Sequence, residues 1–197
     1  MEVLIFPDAQ SLARKSADLV ESQIKTFPDS VIGLATGSTP QGLYDELIRR
    51  HKDYHLSFAR VKTFNLEEYV GIPANHPQSY RAFMDDNLFT KINIVSSNTQ
   101  VPDGMAENPL DVGPAYEKMI EEAGGIDLQV LGVGTDGHIG FNEPTSSLGS
   151  ITRVKTLTKQ TIEDNSRFFK PDEFQPKLAI TMGIKTILAA RRIILLA

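Results

Sequence analysis

The chain has 197 residues, of which 41% are hydrophobic and 23% charged, with a net charge of −5 and no cysteine. That is material for one domain over residues 1–197 with a sizeable core, and it excludes disulfide frameworks, zinc–thiolate sites and thiol nucleophiles. The acidic balance argues against nucleic-acid and membrane partners, no stretch nears the roughly 18 apolar residues of a membrane span, and no basic n-region precedes the first apolar run, so cytoplasm is the expected compartment.

In chain order, residues 2–6 read as a first strand. Ala9, Leu12, Ala13, Ala17, Val20 and Ile24 then recur at helical spacing, with Asp8 placed to cap. Residues 31–35 form a second strand, followed by Thr36-Gly-Ser-Thr-Pro40 and a helix through Leu43, Leu47 and Ile48. Residues 61–64 are a third strand, 79–88 a helix and 99–101 a short extended piece. Ala115, Tyr116, Met119, Ile120 and Ala123 stripe another helix, stopped by Gly124 and Gly125. Residues 128–133 are the most continuous apolar strand and feed a glycine-rich run. A strand at 152–157, a helix at 160–168, a strand at 178–181, a helix at 184–190 and a strand at 192–196 follow.

Alternating strands and helices predict an α/β fold, a Rossmann-like doubly wound, mainly parallel sheet flanked by helices. The last strand is so apolar that cover on both faces is expected, and with it a C-terminal continuation beyond Ala197. Ligands of such sheets sit outside the carboxyl ends of the strands, which points to the loops after Ala35, Phe64 and Val133.

An acidic protein that binds an anion must concentrate positive potential locally. The loop after Ala35 is suited to this. Gly37 lets backbone approach a ligand, Ser38 and Thr39 offer hydroxyls, and Pro40 presets a helical turn whose free N–H groups favour an anion. A well-capped turn explains the same residues. After Phe64, Glu67 and Glu68 are adjacent carboxylates; a solvated loop is the ordinary reading, a general base the functional one. The third loop carries Asp136, His138, Asn142 and Glu143 among glycines. Histidine exchanges a proton near neutral pH, and Asp136 or Glu143 can fix its tautomer. Of the four histidines, His51, His55 and His76 read as hydrogen-bonded structural residues and His138 as functional. A metal on Asp136, His138 and Glu143 is the weaker reading with one histidine and no thiolate, so no metal is expected.

Leu34-Ala-Thr-Gly-Ser-Thr-Pro40, Thr63-Phe-Asn-Leu-Glu-Glu-Tyr-Val-Gly71, His76-Pro-Gln-Ser-Tyr80, Gly134-Thr-Asp-Gly-His-Ile-Gly-Phe-Asn-Glu-Pro144 and Asn165-Ser-Arg-Phe-Phe169 together resemble the glucosamine-6-phosphate deaminase family, in its order and spacing. The resemblance implies conversion of glucosamine 6-phosphate and water to fructose 6-phosphate and ammonia, without an organic cofactor. It implies that Gly37, Ser38 and Thr39 hold the phosphate with Arg167 as charge partner. It also implies that His138, oriented by Asp136 and Glu143, assists ring opening, and that Glu67 moves a proton from C2 to C1. Ser146, Arg153, Lys155 and Thr156 resemble the subunit-interface pocket for the effector N-acetylglucosamine 6-phosphate in homo-oligomeric members.

Two departures stand out. The family typically has aspartate where this chain has Glu67, one methylene longer, and a misplacement of ~1 Å can cost on the order of a hundredfold in rate. The family also continues past the last strand with a phosphate-binding lysine. The rival readings are a 6-phosphogluconolactonase or another sugar-phosphate enzyme of related fold, and a non-catalytic sugar-phosphate sensor. The Phe141-Asn-Glu-Pro144 run argues against the lactonase, and the lack of a helix-turn-helix or basic segment against a regulator.

Overall fold

In the computed structural model, which describes residues 2–166, 169–170 and 173–197, five short strands form one parallel sheet. They are β1 (Val31–Leu34), β2 (Lys62–Asn65), β4 (Thr99–Gln100), β5 (Leu128–Gly132) and β8 (Arg192–Leu196), in the order β4-β2-β1-β5-β8. Every pairing in it is parallel. The connections run outward in one direction from β1 and in the other from β5, so the carboxyl ends of these two central strands flank a crevice.

Side-chain alternation assigns the two faces. Ile32, Leu34, Leu128 and Val130 pack against Ala17 and Val20 of α1 (Ala9–Thr26), Leu43 and Leu47 of α2 (Gln41–Tyr54) and Met84 of α3 (Tyr80–Asn87). Val31, Ala35, Phe64 and Leu131 pack on the other face against Tyr116 and Ile120 of α4 (Pro109–Glu122) and Ile187 of α6 (Ile184–Leu188). The expected doubly wound arrangement is thereby formed. Its helix ends follow the expected chemistry. The Asp8 carboxylate accepts from the Ser11 N–H at 2.7 Å. Gly124 and Gly125 take φ of +91° and +82°, and the Gly125 N–H closes the end of α4 on the Ile120 carbonyl at 2.9 Å.

Two expectations need correction. Residues 2–6 are not a strand: Val3 and Ile5 are 71% and 91% exposed, and no described strand offers them a ladder. The segment after Phe64 is not a loop: Glu67–Tyr69 is β3, in a second, antiparallel sheet β3-β7-β6 with β7 (Leu178–Thr181) and β6 (Arg153–Thr156). Adjacent carboxylates suggest solvent because burying charge is costly, and only tertiary partners offset that cost. The outer strand β8 is covered on one face, as an apolar strand still wanting cover would be: Ile193 and Leu195 are exposed among the described residues while Leu196 is buried. The remaining helix, α5, spans Lys159–Ser166. No helix among the described residues is long and apolar enough to cross a membrane.

Candidate active site

The first wall of the crevice is the turn between β1 and α2. Tyr44 of α2 is buried and its hydroxyl donates to the Ala35 carbonyl, pinning the strand end to the helix. Gly37 then takes φ +86°, a left-handed conformation that L side chains resist. Ser38 and Thr39 are exposed, and their hydroxyls have no partner among the described residues. With the first turn of α2 behind them, they form a cradle suited to an anion.

The second wall is β3, where two neighbouring carboxylates have different fates. Glu68 is consumed by structure: it accepts from the backbone N–H groups of Tyr69, Tyr80 and Arg81 at 2.8, 3.0 and 3.0 Å, capping the start of α3. Glu67 is 8% exposed and has no such set of donors; Oε2 takes the Thr181 hydroxyl at 3.3 Å. Burial pushes its carboxyl up to about 7, against the ordinary 4.5. Room for this glutamate comes from Gly140, where an added Cβ would lie 2.6 Å from Glu67 Oε2.

The third wall is the turn after β5. The Gly134 N–H donates to the His138 carbonyl at 2.9 Å, folding the loop back on itself. The imidazole lies over Gly134, where an added Cβ would come within 2.2 Å of Cε1. Asp136 Oδ1 meets His138 Nδ1 at 2.6 Å and also accepts the His138 N–H at 3.1 Å, so Nε2 is left for a ligand. Those bonds hold the Asp136 carboxyl below its usual range, the backbone N–H first. Asn142 ties the loop to the end of β7, its amide donating to the Ile139 and Met182 carbonyls at 2.9 and 2.7 Å.

These walls enclose one cleft of about 230 Å³, lined by Gly37, Ser38, Thr39, Glu67, His138 and Gly140 among others. A carboxylate poised near neutrality and an oriented imidazole share it with an anion cradle, an arrangement fit for proton transfer on a small anionic ligand. A neighbouring hollow of about 320 Å³ shares Gly37 and Ser38 and has an aromatic wall of Tyr69, Tyr80, Phe83 and Phe169. A larger one, about 380 Å³, lies by Glu68 and Arg81, whose polar ends are already hydrogen-bonded.

Other expected residues are placed differently. Glu143 makes no hydrogen bond to His138; it accepts from the Thr161 and Thr158 hydroxyls at 3.0 and 3.4 Å. One donor atom each from Asp136, His138 and Glu143 lies within 4.8 Å of the others, so the three could hold a divalent cation, at the expense of a free imidazole nitrogen. Arg167 lies outside the described residues. On β6, Arg153 and Lys155 share a face and Thr156 lies on the other. Burial holds the Arg153 guanidinium below its usual range, and the Ser146 hydroxyl is buried without a partner among the described residues. His51 bonds the Leu56 carbonyl at 2.7 Å, His55 ends α2 at φ +58°, and His76 pairs with Glu173 at 2.8 Å, as structural roles require. Sequence reading missed the aromatic wall, Gly140's fit to Glu67 and Thr181.

Residues 7–197 match the family described as glucosamine-6-phosphate isomerases/6-phosphogluconolactonase. The glucosamine-6-phosphate deaminase of Shewanella woodyi is 55% identical over 197 residues, covering 100% of this chain and 75% of its own length. A solved structure of a monomeric glucosamine-6-phosphate deaminase is 42% identical with a TM-score of 0.95, covering 99% of this chain and 81% of that one. A 6-phosphogluconolactonase from Thermotoga maritima, 18% identical with a TM-score of 0.73 over 98% of this chain and 81% of its own, shares the fold.

Proposed function

The chain belongs to the family of glucosamine-6-phosphate isomerases and 6-phosphogluconolactonases, and within it we infer a glucosamine-6-phosphate deaminase. Relatives of that name match it over its whole length. The single structural observation that carries the reading is the common cleft of Gly37, Ser38, Thr39, Glu67 and His138.

In this proposal one α/β domain carries the chemistry. The substrate phosphate rests on Gly37, Ser38, Thr39 and the first turn of α2, with Arg167 as its charge partner. His138, held by Asp136, shuttles the proton that opens the pyranose ring, and Glu143 lends negative charge nearby. Glu67 removes the C2 proton and returns it to C1 through an enolamine. Water adds to the resulting ketimine and ammonia leaves, so glucosamine 6-phosphate and water give fructose 6-phosphate and ammonia. No cofactor is needed, because each step is a proton transfer or an addition of water.

The finer readings are a cytoplasmic location and regulation by N-acetylglucosamine 6-phosphate in a homo-oligomer. The Ser146 hydroxyl, buried without a partner among the described residues, and the desolvated Arg153 support an effector site, with Lys155 and Thr156 on the strand that carries Arg153. The 42% identical structure is of a monomeric enzyme, so sedimentation with and without the effector is the check on assembly. The activity test is ammonia release from glucosamine 6-phosphate by the full natural chain, with fructose 6-phosphate as co-product. Hydrolysis of 6-phosphogluconolactone without ammonia release would favour the lactonase, and binding without turnover the sensor.

A further inference from the structure

We propose that Thr181 is a positioning residue for the Glu67 base: its buried hydroxyl fixes one carboxylate oxygen and links the base to the loop that carries His138. The inference deepens the deaminase reading and rests on Glu67 being the base.

β7 runs antiparallel to β3, with Thr181 directly opposite Glu67, so both side chains rise from one face. Thr181 has no solvent exposure, so its hydroxyl must be satisfied from within the protein. It accepts the Phe141 N–H at 3.2 Å. Its single proton then has two acceptors, Glu67 Oε2 at 3.3 Å and the Met182 carbonyl at 3.4 Å.

That choice suits a group whose charge changes during turnover. While Glu67 is ionised, the hydroxyl proton turns to the carboxylate, where a charge-assisted bond is the stronger one. Once Glu67 has taken a substrate proton, the hydroxyl can turn to the Met182 carbonyl and leave no buried proton unpaired. Gly140 closes the same side: a Cβ there would lie 2.6 Å from Oε2 and 3.1 Å from Thr181 Oγ1. With Oε2 held in this corner, Oε1 is the oxygen free to meet the C2 proton. Phe141, three residues after His138, carries the tie back to the imidazole's loop.

The titratable and charged groups around Glu67 are Glu68 on its own strand, Tyr80 of α3, Arg153 of β6 in register beyond Thr181, and His138 with Asp136 across the cleft. Among the groups that bond the carboxylate, the Thr181 hydroxyl favours the ionised form. Losing it moves the acid limb of kcat/KM to higher pH.

The test compares T181V, which keeps the shape and removes the hydroxyl, with T181S and E67Q in the full natural chain, by ammonia release across pH. The expected results are a kcat lower by about ten- to a hundredfold in T181V with KM within about twofold, an acid limb displaced upward, and recovery of both in T181S. T181A gives the same readout should T181V fold poorly. Wild-type kcat and an unmoved limb in T181V, with E67Q inactive, would overturn the positioning role and leave the base assignment standing. Full turnover by E67Q would overturn both.

Discussion

The two halves of the proposed acid/base pair come from contrasting regions. His138 sits on a glycine-rich turn beyond the parallel sheet, with its side chain and that of Asp136 40% and 48% exposed. Glu67 sits inside a strand of the small antiparallel sheet and is 8% exposed. The imidazole needs orientation, which Asp136 supplies through Nδ1. The carboxylate is too weak a base at its ordinary value and needs desolvation, which only a packed strand provides. In the proposed mechanism the fold divides the work accordingly, with the oriented imidazole on a turn and the buried carboxylate in a core.

The largest effect that tests this contrast is E67Q, which should lower kcat by about 10²–10⁴-fold with little change in ligand affinity, measured by ammonia release and by titration of the phosphorylated ligand. Next is D136N. An amide in place of the carboxylate leaves the tautomer of His138 unfixed, and a loss of roughly a hundredfold in kcat is expected with unchanged thermal stability. A comparable stability loss would mean that Asp136 is a structural turn residue.

Stability should separate Glu67 from Glu68 in the opposite sense. Glu67 releases its proton near 7 in the native state and near 4.5 when unfolded, so the unfolded chain binds fewer protons between those values and stability falls as pH rises through that window. E67Q should therefore be more stable than the wild type at pH 8, by about 1–3 kcal/mol at about 1.36 kcal/mol per pKa unit. E68Q should be less stable by about 1–3 kcal/mol, because an amide cannot accept all three backbone N–H groups. Denaturant titration at two pH values measures both, and equal shifts for the two variants would break the distinction.

What the sequence disclosed follows the range of the interactions involved. The strands and helices of the parallel sheet were readable because apolar spacing and caps such as Asp8 are local. The Gly37 turn and the His138 turn were readable for the same reason, since each is built within a few residues. β3 was misread because its carboxylates are made tolerable by partners far away in the chain: Tyr80 and Arg81 for Glu68, and Thr181, 114 positions on, for Glu67. Thr181 itself looks like any β-branched residue at a strand end. The role expected for Glu143 shifted because the hydroxyls of Thr158 and Thr161, in and before α5, reach it instead. Gly140 announced a turn, yet the fit of its backbone to a glutamate exists only across two sheets.

The most direct test is a crystal structure with a ring-opened analogue of glucosamine 6-phosphate, reduced at C1 so that it binds without reacting. Its phosphate should rest on Gly37, Ser38 and Thr39, with C2 against the Glu67 carboxylate and the sugar's oxygens toward His138 Nε2. A phosphate bound elsewhere, or a chain that leaves Glu67 untouched, would contradict the account.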